Sequence, residues 1–340
     1  MEVDWFYEIT GFTEIDYATT KSLLSVNEGS LVSARNNRRS AVGKFTLSNL
    51  RDLRNSGIEC NQEKPVHVSN IVADVRKLHS DPENEGALFQ VASQVNMLEM
   101  IGPDVTPEDG VTRYQFDRTQ GPACAMAAGA ATIYRNYFVP VGGKYGQTAS
   151  NQMNGLTGLA DGLGALLGKR GEDILPVRNG YALPTHANLL AIANILDEMP
   201  SEEQDRLAEY LEIGVHTDVE VTDVVAREPL LVTQAFCSAM PVAYSGIDAK
   251  YWEPLAKLVL NAAYEATLWV GLKNAMNGRS NRVLLTRLGG GAFGNRSFWI
   301  DEAMETALHK FQKSGLEIVI VSYGSVPVSM MELAGKFSDQ

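Results

Sequence analysis

Cysteine is scarce in this chain. Cys60, Cys124 and Cys237 are the only three in 340 residues, stand far apart and form no CxxC pair, which argues against a disulfide framework and a zinc knuckle. A reducing, cytoplasmic setting is the expectation. None of His67, His79, His186, His216 and His309 falls into HExxH or another ligand spacing, so neither a metal site nor a cofactor is expected. No apolar run approaches the roughly 20 residues of a membrane helix, and no charged start followed by an apolar stretch suggests a leader. Positive charge is also short: 29 Lys and Arg stand against 41 Asp and Glu, a formal net charge of -12. Nucleic acids and anionic membranes recruit proteins through clustered Lys and Arg, so neither is an expected partner. The basic cluster Arg35, Arg38 and Arg39 reads as a solvated turn.

What the chain does have is apolar residues, 45% of the total, enough for a large core. Residues 1–64 mix aromatic, polar and charged positions and read as an N-terminal extension packed on the core, with a helix from Leu47. A helix is expected over Val68–Leu78, then a turn and a strand at 87–93. Pro122 suits the first turn of a helical stretch running through ACAMAAGAATIYRNYF. Residues 142–215 are rich in Gly, Asn and Gln and then helical from His186 to Leu211, which marks an insertion. Strands at Val219–Thr222 and Leu230–Phe236 and a long helix over Tyr251–Met276 follow, and 331–340 reads as a tail. Strands alternating with helices imply an α/β fold, a mixed or parallel sheet covered on both faces. Trp252, Trp269 and Trp299 lie in helical patterns and read as packing residues.

Two segments carry chemistry. In NRVLLTRLGGGAFGNRSFWIDEAM an apolar strand runs through a glycine turn into an amphipathic helix. Gly289, Gly290, Gly291 and Gly294 lack Cβ atoms, so backbone amides can close on an anion at the positive end of the helix. The loop has no lysine, and neutral amides suit a diphosphate held for recognition rather than phosphoryl transfer. GxGxxG is formally satisfied, but the dinucleotide fold places it on a first strand, whereas only Leu316–Ser322 remains downstream as a strand. No Lys-Ser or Lys-Thr follows, so a P-loop is excluded. Phe293 either packs on a ribose or staples the turn to the core, and Tyr323 either stacks on adenine or ends a core strand.

The second segment, IGPDVTPEDGVTRYQFDRTQGP, gathers Asp104, Glu108, Asp109 and Asp117 in one loop before a helix N-terminus. Asp117 precedes Thr119 and Gln120, polar groups entering the helix, and Asp109 adjoins the flexible Gly110. Such a loop can turn two carboxylates towards one ligand. Glu99 reads as a structural partner.

Taken in order, a strand ending in Gln94 and Asn96, an acidic loop into a helix, the strand at 230–236, the long helix, the GGGAFGN loop and a last strand resemble a macrodomain over roughly residues 65–324. The chain is most similar to the divergent MavL-like ADP-ribosylhydrolases, which resemble poly(ADP-ribose) glycohydrolases in fold and act on ADP-ribosylated arginine. The resemblance implies a macrodomain-like mixed sheet sandwiched between helices, with a catalytic domain over 65–330. It implies ADP-ribose and an ADP-ribosylated protein as partners. Asn96, with Gln94, falls where the family touches the distal ribose, and Gly289, Gly290, Gly291, Ala292, Phe293, Gly294 and Asn295 take the diphosphate loop. The carboxylates of 104–117 fall where the MavL-like group keeps its acids, and Asp74 is the candidate adenine-binding acid. The glycine run of the first loop, the common macrodomain catalytic loop and the glycohydrolase's paired-glutamate motif are absent.

Cleaving the bond at the distal ribose C1 passes through an oxocarbenium-like centre. One carboxylate stabilises that charge while another activates water. Asp117 and Asp109 are the first choices, Asp104 the third. The expected activity is therefore an ADP-ribosylhydrolase, arginine-linked. A non-catalytic reader of ADP-ribose is the alternative, with a dinucleotide oxidoreductase behind it.

Overall fold

In a computed structural model that describes residues 4–58, 64–224 and 228–338, the apolar strands alternate their side chains between two cores. Leu88 faces one and Phe89 the other; Val283 and Leu285 oppose Leu284, and Ile318 and Ile320 oppose Val319. A strand with both faces buried sits inside a sandwich, and here helices cover each face.

The strands are β1 (Lys44–Asn49), β2 (His67–Val72), β3 (Leu88–Ala92), β4 (Glu212–Glu220), β5 (Leu231–Cys237), β6 (Arg282–Leu285) and β7 (Glu317–Ser322). They form one seven-stranded sheet in the order β1-β4-β5-β3-β6-β7-β2. β5, β3, β6, β7 and β2 run parallel, while β4 is antiparallel to both β1 and β5. The fold is the expected mixed α/β sandwich. On one face lie α1 (Gln120–Ala127) and α2 (Gly129–Tyr137); on the other lie α3 (His186–Glu198), α4 (Ala249–Met276) and α5 (Ser297–Lys310). From β5, α4 carries the chain across β3 to β6, so neighbouring strands diverge at β3. Ligands of parallel sheets settle at the carboxyl ends of strands around such a switch.

Several expected elements fall differently. Val68–Leu78 is not one helix: His67–Val72 is a strand paired residue for residue with β7, and only Val75–His79 is helical. Cross-strand pairing of Val68 and Ile71 outweighs the helical reading, and Asp74 serves as the N-cap, accepting from the Arg76 amide at 2.9 Å. The helix expected from Leu47 begins at Leu50, because Phe45 and Leu47 belong to β1 and Asn49 caps at its Asp52 amide, 2.7 Å away. The long stretch after Pro122 breaks at Ala128, where Thr222 Oγ1 accepts from the Gly129 amide. Pro200 divides His186–Leu211 into two helices. Residues 1–64 contribute β1, the edge of the sheet, as well as a small three-stranded sheet of their own. Cys60 lies outside the described residues, and Cys124 and Cys237 are buried free thiols.

Candidate active site

A cleft of about 430 Å³ opens at the carboxyl ends of β3, β5, β6 and β7. Each strand leads into a different wall, and the wall after β3 is the most elaborately built.

Beyond Ala92 the chain folds into a tight loop with Met97 in the left-handed region at φ 62°. Gln94 is its keystone: its Oε1 accepts from the Met100 amide at 2.7 Å, and its own amide donates to the Leu98 carbonyl at 3.1 Å. The loop delivers Glu99 to the cleft, with its amide donating to Tyr114 Oη at 3.0 Å. Glu99 is 2% exposed, and its Oε1 has no hydrogen-bond partner among the described residues. Burial pushes its carboxyl pKa well above the ordinary 4.5; nearby Arg135 opposes that rise and Asp117 adds to it. A buried carboxyl whose pKa is raised, lining a ligand-sized cleft, marks a candidate functional group.

The N-terminus of α1 forms the adjoining edge. Gln120 ties it to the sheet: its Oε1 accepts from the Ala92 amide and its Nε2 donates to the Gln90 carbonyl, both at 2.8 Å. Gly121 is required here, since a Cβ would collide with the Ala92 carbonyl oxygen and with Glu99 Oε2. Asp117 lines the cleft half-buried, its Oδ1 accepting from the Thr119 amide at 2.8 Å. Thr119 and Arg118 also line it.

The loop after β6 supplies the opposite wall through Gly289, Gly290, Gly291, Ala292 and Phe293. Gly289 sits at φ 70°, and a Cβ there would come within 2.5 Å of both Ala239 Cβ and Asn295 Nδ2. Among the described residues the amides of Gly291, Ala292 and Phe293 have no protein acceptor and remain available to a ligand. Asn295 lies behind the loop, its Nδ2 donating to the Met240 carbonyl at 2.8 Å. Gly294 does not reach the cleft; it packs beside Ala243. Phe293 joins Tyr181 and Tyr244 in an aromatic wall with ring centroids 4.9 to 5.7 Å apart. Tyr323 stands on the rim 91% exposed, so the reading of it as a core residue is corrected.

Besides Gly294 and Asn295, three expected residues face elsewhere. Asp109 spends its carboxylate on a capping box, accepting from the Thr106 amide and hydroxyl at 2.8 and 2.9 Å. Asp104 pairs on the surface with Arg178 at 3.0 Å. Asn96 is fully buried behind the loop, its Nδ2 donating to Gln152 Oε1 at 2.8 Å and its Oδ1 accepting from the Leu98 amide. Glu99, read from the sequence as a structural partner, lines the cleft as a buried carboxyl. The available signal was its setting: one carboxylate inside NMLEM, flanked by apolar residues, marks a buried acid. Tyr181, Tyr244 and Arg287 also line the cleft and carried no local signal.

No family model matches the chain, and no curated protein matches it. Solved structures do. Poly(ADP-ribose) glycohydrolase from Thermomonospora curvata superposes with a TM-score of 0.48 at 11% identity, over 93% of this chain and 94% of that one. The same enzyme bound to the inhibitor ADP-HPD gives 0.46 at 10% identity, over 93% and 94%. Poly(ADP-ribose) glycohydrolase from Deinococcus radiodurans in complex with ADP-ribose gives 0.45 at 12% identity, over 86% and 92%. The similarity concerns the fold. It also corrects the expected kinship: the structural neighbours are poly(ADP-ribose) glycohydrolases and not MavL-like arginine-specific hydrolases, and the arginine specificity drawn from that resemblance goes with it.

Proposed function

We propose that the cleft binds an ADP-ribose unit and that the protein hydrolyses the glycosidic bond joining its distal ribose to an oxygen leaving group. One observation carries the reading: a buried, unpartnered carboxylic acid and a loop of unengaged amides face the same cleft, whose volume suits a ligand of this size.

The diphosphate lies against the amides of Gly291, Ala292 and Phe293, where negative charge is stabilised without lysine. The aromatic wall of Tyr181, Tyr244 and Phe293 flanks a ribose or base through its apolar ring surfaces. The distal ribose then meets Glu99. As the C1–O bond breaks, the Glu99 proton passes to the departing oxygen, and positive charge builds at C1, which the Asp117 carboxylate lining the same cleft compensates. The newly ionised Glu99 takes a proton from an incoming water as its oxygen bonds to C1, which returns the acid to its starting form.

The test uses the full chain with poly(ADP-ribose) and with serine- and glutamate-linked ADP-ribosylated peptides, and measures free ADP-ribose released. Release from an oxygen-linked substrate, abolished in Glu99→Gln, is the expected result. Tight binding of ADP-ribose with no release from any substrate would make the protein a reader and end the hydrolase proposal.

A further inference from the structure

Behind the cleft lies a buried cation that forms no ion pair among the described residues. Arg135, on α2, is completely buried, and among the described residues no carboxylate lies within ion-pair distance of it. Burial pushes its pKa down to about 10, which leaves it charged at neutral pH. Burying an unpaired guanidinium is costly, so its anchoring is informative.

Each anchor is neutral. The guanidinium lies 3.9 Å over the ring of Phe236, its Nη2 donates to Thr132 Oγ1 at 3.0 Å, and its Nη1 donates to His216 Nδ1 at 3.2 Å. Burial first, and Arg135 second, push the His216 pKa well below its ordinary value, so the ring is neutral and can accept. The third nitrogen, Nε, donates to the Met97 carbonyl at 3.1 Å. Met97 is the residue at φ 62°, a conformation that is strained for a non-glycine residue and persists only where the surroundings hold it. Two residues later the chain presents Glu99.

The geometry points to Arg135 as a positioning residue: clamped on Phe236, Thr132 and His216, it holds the left-handed turn at Met97 and so sets where the Glu99 carboxyl stands in the cleft. It does not touch the ligand. The inference rests on the proposed hydrolysis, because only a reaction at Glu99 makes that placement matter. The groups acting electrostatically on Glu99 are Arg135 from α2 and Asp117 from the loop before α1; Tyr114 and Cys124 lie within reach of the same pair and are held neutral, chiefly by burial. Removing the one cation among them raises the pH at which Glu99 gives up its proton.

The experiment compares wild type, Arg135→Met and Thr132→Val on the substrate the wild type cleaves, recording kcat, KM, the pH profile and ADP-ribose affinity by calorimetry. Arg135→Met is expected to lower kcat roughly 10- to 100-fold, with KM and ADP-ribose affinity within about twofold, as misplacement of a reacting group does. Its alkaline limb should move to higher pH. Wild-type kcat with an unmoved limb would overturn the assignment, as would parallel losses of kcat and affinity, which signal a general structural defect. If Arg135→Met does not fold, Thr132→Val decides. Loosening one anchor should cost about 2- to 5-fold in kcat at unchanged affinity, and no change would overturn the inference. A wild-type chain that binds ADP-ribose without cleaving anything refutes the hydrolase reading itself, a result separable from any behaviour of the variants.

Discussion

The two walls of the cleft are built by different means. The glycine wall is a backbone device: its useful groups are amides, and their geometry follows from residues adjacent in sequence. The acid wall is a side-chain device. Its buried carboxyl, Glu99, comes from a loop held by Tyr114, by Arg135 and by Gln147, whose Nε2 donates to the Asn96 carbonyl at 3.1 Å, three residues from separate segments. A backbone site of this kind tolerates changes in distant residues better than a Cβ at Gly289. A side-chain site is sensitive in the opposite sense.

Three substitutions sharpen that contrast. The largest expected effect is Glu99→Gln, which keeps the shape and removes the proton; turnover should fall about 10²- to 10⁴-fold while calorimetry shows ADP-ribose affinity nearly unchanged. Equal turnover would move the chemistry elsewhere. Gly289→Ala attacks the other wall. With φ 70° and Ala239 Cβ and Asn295 Nδ2 in the way, the loop must shift, and ADP-ribose affinity should drop roughly 10-fold or more, KM rising further than kcat falls.

The same glutamate gives a pH signature of stability. Its folded pKa is raised, so its contribution is fully present below the ordinary 4.5 and is lost as pH rises towards the folded value. Urea titrations should therefore find Glu99→Gln more stable than wild type near neutral pH, with the gap closing below 4.5. A gap that widens in acid would show that the carboxyl is ionised in the native state. The smallest effect belongs to Asp109→Ala. It opens a surface capping box, so stability should fall by about 1 kcal/mol and turnover stay within about twofold; a collapse of turnover would restore Asp109 to the chemistry.

The same division explains what could be read from the sequence. Strand alternation, the long helix Ala249–Met276 and the glycine loop were legible because local spacing determines them. His67–Val72 was mistaken for helix because its partner, β7, is some 250 residues away in the chain. In the acidic loop, counting carboxylates favoured Asp117 and Asp109 with Asp104 third, and of these Asp104 and Asp109 are the solvated or locally capped ones. The Glu99 carboxyl pKa is raised chiefly because burial strips its water, and burial of that kind is set by tertiary packing.

Strand β1 has a practical consequence for anyone trimming this protein. Cutting ahead of residue 65, where composition suggests a boundary, would strip β4 of its outer neighbour and leave a row of bare amides and carbonyls from Glu212 to Thr217 facing water. Exposed edges of that kind recruit other chains. The same cut removes Glu14, whose carboxylate accepts from the Val111 and Thr112 amides and from Tyr137 Oη. A shortened version would be prone to clump in the tube and, where it stayed dispersed, would have lost the brace on the segment that leads to Asp117.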